Sequence, residues 1–154
     1  MRELRAGMPA PDFELPDQAG NPVKLSSFRG ANPVVLFFYP RDNSPICTHE
    51  VSAFRNNYSQ FRAAGAQLFG ISDDSVESHG KFAGKNNLPY RLLSDKGGKI
   101  RKLFGVRKTL GVIPGRATFV IDRDGVVRHV FSSQFAADAH VWEALQAVRA
   151  ILPS

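Results

Sequence analysis

Two hydrophobic rhythms alternate along the chain, and each change of rhythm marks an element. Phe13-Glu14-Leu15 and Val23-Lys24-Leu25 flank the turn formers Asp17-Gln18-Ala19-Gly20-Asn21-Pro22, which predicts a hairpin near the N-terminus. Pro33–Tyr39 is apolar throughout and rich in β-branched and aromatic residues, the pattern of a strand buried on both faces; Pro40 ends it. From about residue 45, Val51, Phe54, Tyr58 and Phe61 step by three and four, predicting one helix with an apolar stripe that Gly65 stops. Ala66–Ser72 reads as the next strand, and Asp74 with Glu77 as a capping box opening a helix to about Asn87. Pro89 closes that helix and Tyr90–Leu93 returns to strand. A short helix follows at Lys99–Phe104, with Ile100, Leu103 and Phe104 on one side. Strands at Arg116–Ile121 and Val126–Phe131 are joined by the turn Asp122-Arg123-Asp124-Gly125. The last helix runs from about Ala137 to Leu152, with Val141, Leu145, Val148 and Leu152 facing inward.

The resulting order is βαβαβ, a short helix, then ββα. Alternating strands and helices imply an α/β fold, a central mixed sheet flanked by helices. Ending on an antiparallel hairpin and a helix is the thioredoxin-like arrangement, here with an added N-terminal β-hairpin. The 154 residues suit a single domain spanning 1–154. No apolar run approaches the ~20 residues of a membrane span, and the first residues lack the apolar core of a secretion signal, so a cytoplasmic protein with no membrane partner is expected.

The net charge of +6 admits an anionic partner, and it is densest at Lys96, Lys99, Arg101, Lys102, Arg107 and Lys108. Those cations interleave with Ile100, Leu103 and Phe104, as on a helix with one wet side, and no nucleic-acid motif accompanies them. No nucleic-acid partner is therefore expected, and the charge equally suits an acidic reductant. A zinc-hydrolase reading fails because His49-Glu50 is followed by Ala53 where a second histidine would be needed. His79, His129 and His140 have no partner at ligand spacing and are expected at the surface.

The chain has one cysteine, which excludes an internal disulfide and any all-cysteine metal site within the chain. A lone cysteine is most often a small buried hydrophobe. Cys47, however, follows the buried strand by a few residues and falls in the first turn of a helix. The carboxyl ends of strands in an open α/β sheet are where ligands gather. Free N–H groups and the helix dipole there favour thiolate over thiol. Ser44 serves as a helix N-cap with Pro45 at the first helical position, and its hydroxyl can also donate toward sulfur or a bound oxygen.

Pro40-x-x-x-Ser44-x-x-Cys47 resembles the active-site motif of the peroxiredoxins, and Phe38–Glu50 as a whole resembles their peroxiredoxin Q branch, also called bacterioferritin comigratory protein. Gly70-Ile71-Ser72, Leu92-Leu93-Ser94-Asp95 and Pro114–Asp122 extend the resemblance over nearly the whole chain. It implies a thiol peroxidase that reduces hydrogen peroxide and organic hydroperoxides, with Cys47, Ser44, Arg116 and Pro40 as the catalytic set, in antioxidant defence. Arg116 would approach the sulfur, favour its ionised form and bind peroxide, while Pro40 would wall out water. Attack on the terminal oxygen leaves a sulfenic acid. Ser44, Arg116 and the Cys47 N–H would steady the leaving oxygen, and no metal, haem, flavin or other cofactor is required. Glu50, close behind on the helix, would order the site rather than act as a base.

One departure is informative. Branch members carry a resolving cysteine where this chain has Ser52, or on the second helix near Ala83. Neither position holds a thiol, so an external thiol such as thioredoxin or glutathione must resolve the sulfenic acid. The sequence leaves open whether Ser52 or Ala83 replaces an original cysteine. A dithiol oxidoreductase on the same fold is disfavoured, because its Cys-x-x-Cys window reads Ser44-Pro45-Ile46-Cys47. A monomer is expected, as is common in the branch.

Overall fold

The computed structural model describes residues 4–106, 108–109, 113–133 and 137–151. Its centre is a five-stranded mixed sheet in the order β5-β4-β3-β8-β9. The strands are β3 (Val34–Phe38), β4 (Gln67–Ser72), β5 (Arg91–Ser94), β8 (Ala117–Ile121) and β9 (Val127–Ser132). β3, β4 and β5 run parallel, whereas β8 pairs antiparallel with β3, and β9 with β8. Parallel neighbours require crossovers, and helices supply them. α1 (Pro45–Asn56) and α2 (Tyr58–Ala63) lie between β3 and β4, and α3 (Val76–Lys85) lies between β4 and β5. α4 (Lys99–Leu103) follows β5, and α5 (Ala137–Ile151) follows β9. The N-terminal hairpin joins β1 (Glu14–Pro16) to β2 (Pro22–Lys24), pairing Leu15 with Val23. A small ladder, β6 (Lys108–Thr109) with β7 (Ile113–Pro114), precedes β8.

Strand β3 is buried at every position because both of its faces are covered. Val35 and Phe37 belong to a core with α1, α3 and α5, containing Val51, Phe54, Phe82, Val141, Leu145 and Val148. Val34, Leu36 and Phe38 belong to a second core with the N-terminal segment and α4, containing Phe13, Val23, Ile100 and Phe104. Alternation along one strand thus divides its side chains between two apolar layers.

The predicted helix from residue 45 to Gly65 is divided at Asn57. The Asn57 side chain donates to the Ala53 carbonyl at 2.8 Å, taking an acceptor that helix continuation would use. The stripe survives the break, since Val51, Phe54 and Phe61 are all buried. The predicted Asp74–Glu77 capping box is also replaced. Ser75 is the N-cap of α3 and accepts from the Ser78 N–H at 3.0 Å. Asp74 instead accepts from the Ser72 hydroxyl at 2.6 Å and the Asp42 N–H at 2.8 Å. Leu103, expected beside Ile100 and Phe104, is exposed, because so short a helix turns only part of its circumference to the core. Leu152 and Arg107 lie outside the described residues. Among the described residues no helix is long and apolar enough to cross a membrane.

At Gly70 in β4 the sheet has no room for a side chain: a Cβ would lie 2.7 Å from the Phe37 ring and 2.8 Å from Leu92. Gly70→Ala is expected to cost about 1–3 kcal/mol through overpacking. The check is a lower urea midpoint at unchanged m-value.

Candidate active site

The site forms where the carboxyl end of β3 meets the amino end of β8, with Phe38 paired to Ala117. The chain leaves β3 through Tyr39 and Pro40, crosses a loop to Ser44, and enters α1 at Pro45. Asn43 takes a left-handed conformation (φ 68°) to make that turn, which asparagine tolerates better than most residues. Ser44 caps α1, its Oγ accepting from the Cys47 N–H at 3.2 Å. This cap fixes the first helical turn and with it the direction of the thiol.

Cys47 is fully buried, as a structural cysteine would be. Its immediate partner, however, is a cation. Arg116, one residue before β8, donates from Nη2 to Cys47 Sγ at 3.0 Å and from Nη1 to Glu50 Oε1 at 2.6 Å. Arg116 is itself only 5% exposed and Glu50 is fully enclosed. A guanidinium presents its donors in a rigid planar fork, so one side chain spans the thiol and the carboxylate together. Glu50 sits three residues after Cys47, one helical turn along the same face of α1.

A second layer lies behind Glu50. His140 on α5 is completely buried, its Nδ1 2.8 Å from the Thr118 hydroxyl and its Nε2 2.7 Å from the Ser133 carbonyl. A carbonyl only accepts, so Nε2 carries the proton and Nδ1 accepts from Thr118. Among the described residues Glu50 Oε2, 3.9 Å from His140 Nδ1, has no hydrogen-bond partner, nor does Arg116 Nε. Burial pushes the Glu50 carboxyl from an ordinary 4.5 up to about 7, against the opposing pull of Arg116. Burial likewise holds His140 below its ordinary 6.5.

Four of the residues singled out from sequence thus converge: Ser44 on Cys47 through the cap, and Arg116 on both Cys47 and Glu50. Pro40 is half-buried at the start of the loop. Ser52 is half-buried on α1 and Ala83 buried on α3, and neither brings a second thiol. The expectation of surface histidines is corrected for His79 and His140, both fully buried; His129 is half-buried and 2.7 Å from Glu143. Thr118 and His140 were missed, although His140 falls one turn from both Ala137 and Ala144 on the buried stripe of α5.

A thioredoxin-like sheet carrying a cation-paired thiol at a helix start defines the class as a thiol-dependent peroxidase. The chain belongs to the AhpC/TSA family, whose profile matches residues 6–130, and to its peroxiredoxin Q branch. It is 49% identical to a chloroplastic peroxiredoxin Q of Sedum lineare over 150 residues, 97% of this chain and 80% of that one. It is 48% identical to the chloroplastic peroxiredoxin Q of Arabidopsis thaliana over 149 residues, 96% of this chain and 68% of that one. The crystal structure of peroxidoxin BcpB from Mycobacterium tuberculosis superimposes with a TM-score of 0.88 at 45% identity, covering 97% of this chain and 99% of that one. The expectation of a cytoplasmic location is corrected by the plant relatives, which are named as chloroplast proteins. Compartment is set by targeting signals rather than by the fold, so composition was a poor guide to it.

Glu50 binds its proton more tightly folded than unfolded. Its contribution to stability is complete below about pH 4.5 and is lost as the pH rises through about 7. His140, buried neutral, acts in the opposite sense, costing stability as the pH falls below about 6.5. Comparison with Glu50→Gln isolates the carboxyl. In urea titrations the parent protein should lose stability relative to the variant between about pH 5 and pH 8. Parallel stability curves would remove the buried-acid assignment.

Proposed function

We propose that Cys47 is the nucleophile of this peroxidase, attacking the terminal oxygen of a hydroperoxide, with Arg116 and Ser44 as the groups that steady the reacting oxygens. The observation that carries this reading is the 3.0 Å donation from Arg116 Nη2 to Cys47 Sγ inside a closed apolar core. Glu50 already pairs the buried cation, and the second arm of the fork is turned to the sulfur, where a positive charge favours thiolate over thiol.

The reacting species is the thiolate. Sulfur forms a bond to the terminal peroxide oxygen as the O–O bond breaks, leaving cysteine sulfenic acid and an alkoxide or hydroxide that takes up a proton. The charge that builds on the leaving oxygen falls to donors already fixed in direction. Arg116 supplies one and is held by Glu50. Ser44 supplies another: its lone pair is taken by the Cys47 N–H, so its own proton is free for substrate. Pro40 limits water at the loop.

The chain works as one domain spanning 1–154, as a monomer in antioxidant defence, on hydrogen peroxide and organic hydroperoxides. With a single cysteine the sulfenic acid is resolved by a thiol from another molecule, thioredoxin or glutathione in kind.

Cys47→Ser is expected to abolish peroxide consumption. Arg116→Lys, which keeps the charge but cannot span two partners, should lower kcat/KM by about two orders of magnitude. Stoichiometric peroxide followed by dimedone should give one adduct, on Cys47, by intact mass. Undiminished turnover in Cys47→Ser would sink the assignment.

A further inference from the structure

The loop between β3 and α1 carries Ser44 and delivers Cys47, and one of its residues belongs to a separate buried network. Asp42 is 6% exposed, two residues before the cap. Its Oδ1 accepts from the Tyr39 hydroxyl at 2.7 Å and its Oδ2 from the Ser78 hydroxyl at 2.7 Å. His79 Nδ1 lies 2.9 Å from the same Oδ2, and the Asp42 N–H donates to Asp74 Oδ2 at 2.8 Å. His79 is fully buried on α3, and its Nε2 donates to the Leu93 carbonyl of β5 at 3.0 Å. Burial and the adjacent Asp42 carboxylate keep the Tyr39 phenol protonated and hence a donor.

We propose that the Asp42–His79 pair is a positioning clamp for peroxide attack, fixing the loop so that Ser44 and Cys47 meet the Arg116 fork in reacting geometry. The argument is one of leverage. Asp42 is anchored to β3, to Asp74 after β4, and to α3, while His79 ties the assembly to β5. Asn43 then turns through its left-handed conformation and Ser44 caps α1. The orientation of the first turn of α1 is therefore set at its upstream end by Asp42. The pair is fully enclosed, so bulk water offers neither partner an alternative bond. Displacements near 1 Å at a reacting centre cost rates of the order of a hundredfold. Loosening this loop has a second effect, because Cys47 is sealed from solvent in the clamped state.

Asp42→Asn preserves the geometry. The amide oxygen still accepts from Tyr39, and the amide N–H groups donate to His79 Nδ1 and the Ser78 hydroxyl. Asp42→Ala and His79→Ala break it.

The proposal rests on Cys47 being the nucleophile, and the experiment separates the two ideas. Peroxide attack on reduced protein is timed by rapid quench with dimedone, and Cys47 alkylation by iodoacetamide is timed in parallel. Both are done at a temperature where near-ultraviolet circular dichroism shows each variant folded. Asp42→Ala and His79→Ala are expected to slow peroxide attack at least about tenfold while accelerating alkylation, and Asp42→Asn to remain within about threefold of the parent on both. If the alanine variants do not fold, Ser78→Ala, which removes a single bond to Oδ2, is measured instead and should slow attack about threefold with faster alkylation. Folded alanine variants with parental peroxide rates, equal losses in Asp42→Asn and Asp42→Ala, or parental values for both reactions in Ser78→Ala would each overturn the clamp. Peroxide consumption that persists in Cys47→Ser would instead overturn the nucleophile.

Discussion

A buried guanidinium shared between a thiol and a carboxyl is the constraint around which this protein is organised. Arg116 immediately precedes β8, Cys47 and Glu50 come from the first turns of α1, and β3 joins the two by pairing with β8 on one side and leading into α1 on the other. An ionised arginine out of contact with water is stable only if its donors are matched. Two of its three nitrogens are matched here, and among the described residues the remaining Nε has no partner, nor has Glu50 Oε2. Such unsatisfied groups are costly in an ordinary core, and they stand here beside the sulfur proposed to react.

Two polar layers support that centre from opposite sides. Thr118 and His140 stand behind Glu50, between β8 and α5. Tyr39, Asp42, Ser78 and His79 stand beyond the loop, between β3, α3 and β5. The same core holds Phe37 and Phe54 face to face at 4.2 Å, with Tyr90 edge-on to Phe37 at 5.8 Å. The site is therefore a polar seam through a rigid hydrocarbon body, and its distances are fixed by packing as much as by hydrogen bonds.

Much of this was legible in the sequence, for identifiable reasons. The run Val34–Phe38 declared a doubly covered strand, and Ser44-Pro45 declared a helix start within a few residues of the cysteine. Arg116 was identified through resemblance to a family, because an arginine at a strand end carries no local signal of its destination. The polar layers were not legible. Asp42 and Asp74 look like turn or capping residues, and only the tertiary fold shows that Asp74 has left the cap to Ser75 in order to hold the loop. The histidines did carry a signal. His79 lies three and four residues before Phe82 and Ala83, as His140 lies among Ala137, Val141 and Ala144, so helical period assigned both to buried stripes. Weighing them only as metal ligands concealed that. The break at Asn57 shows the complementary limit, since hydrophobic spacing continues across a point where one side chain captures a backbone carbonyl.

The antiparallel pairing of β3 with β8 carries a consequence for synthesis. Cys47 and Arg116 are separated by 69 positions. An elongating polypeptide exposes its thiol long before the ribosome has made the strand that brings the cation. On the proposed assignment of Cys47 as nucleophile, its pairing with Arg116, and the chemistry that depends on it, waits until the central sheet closes.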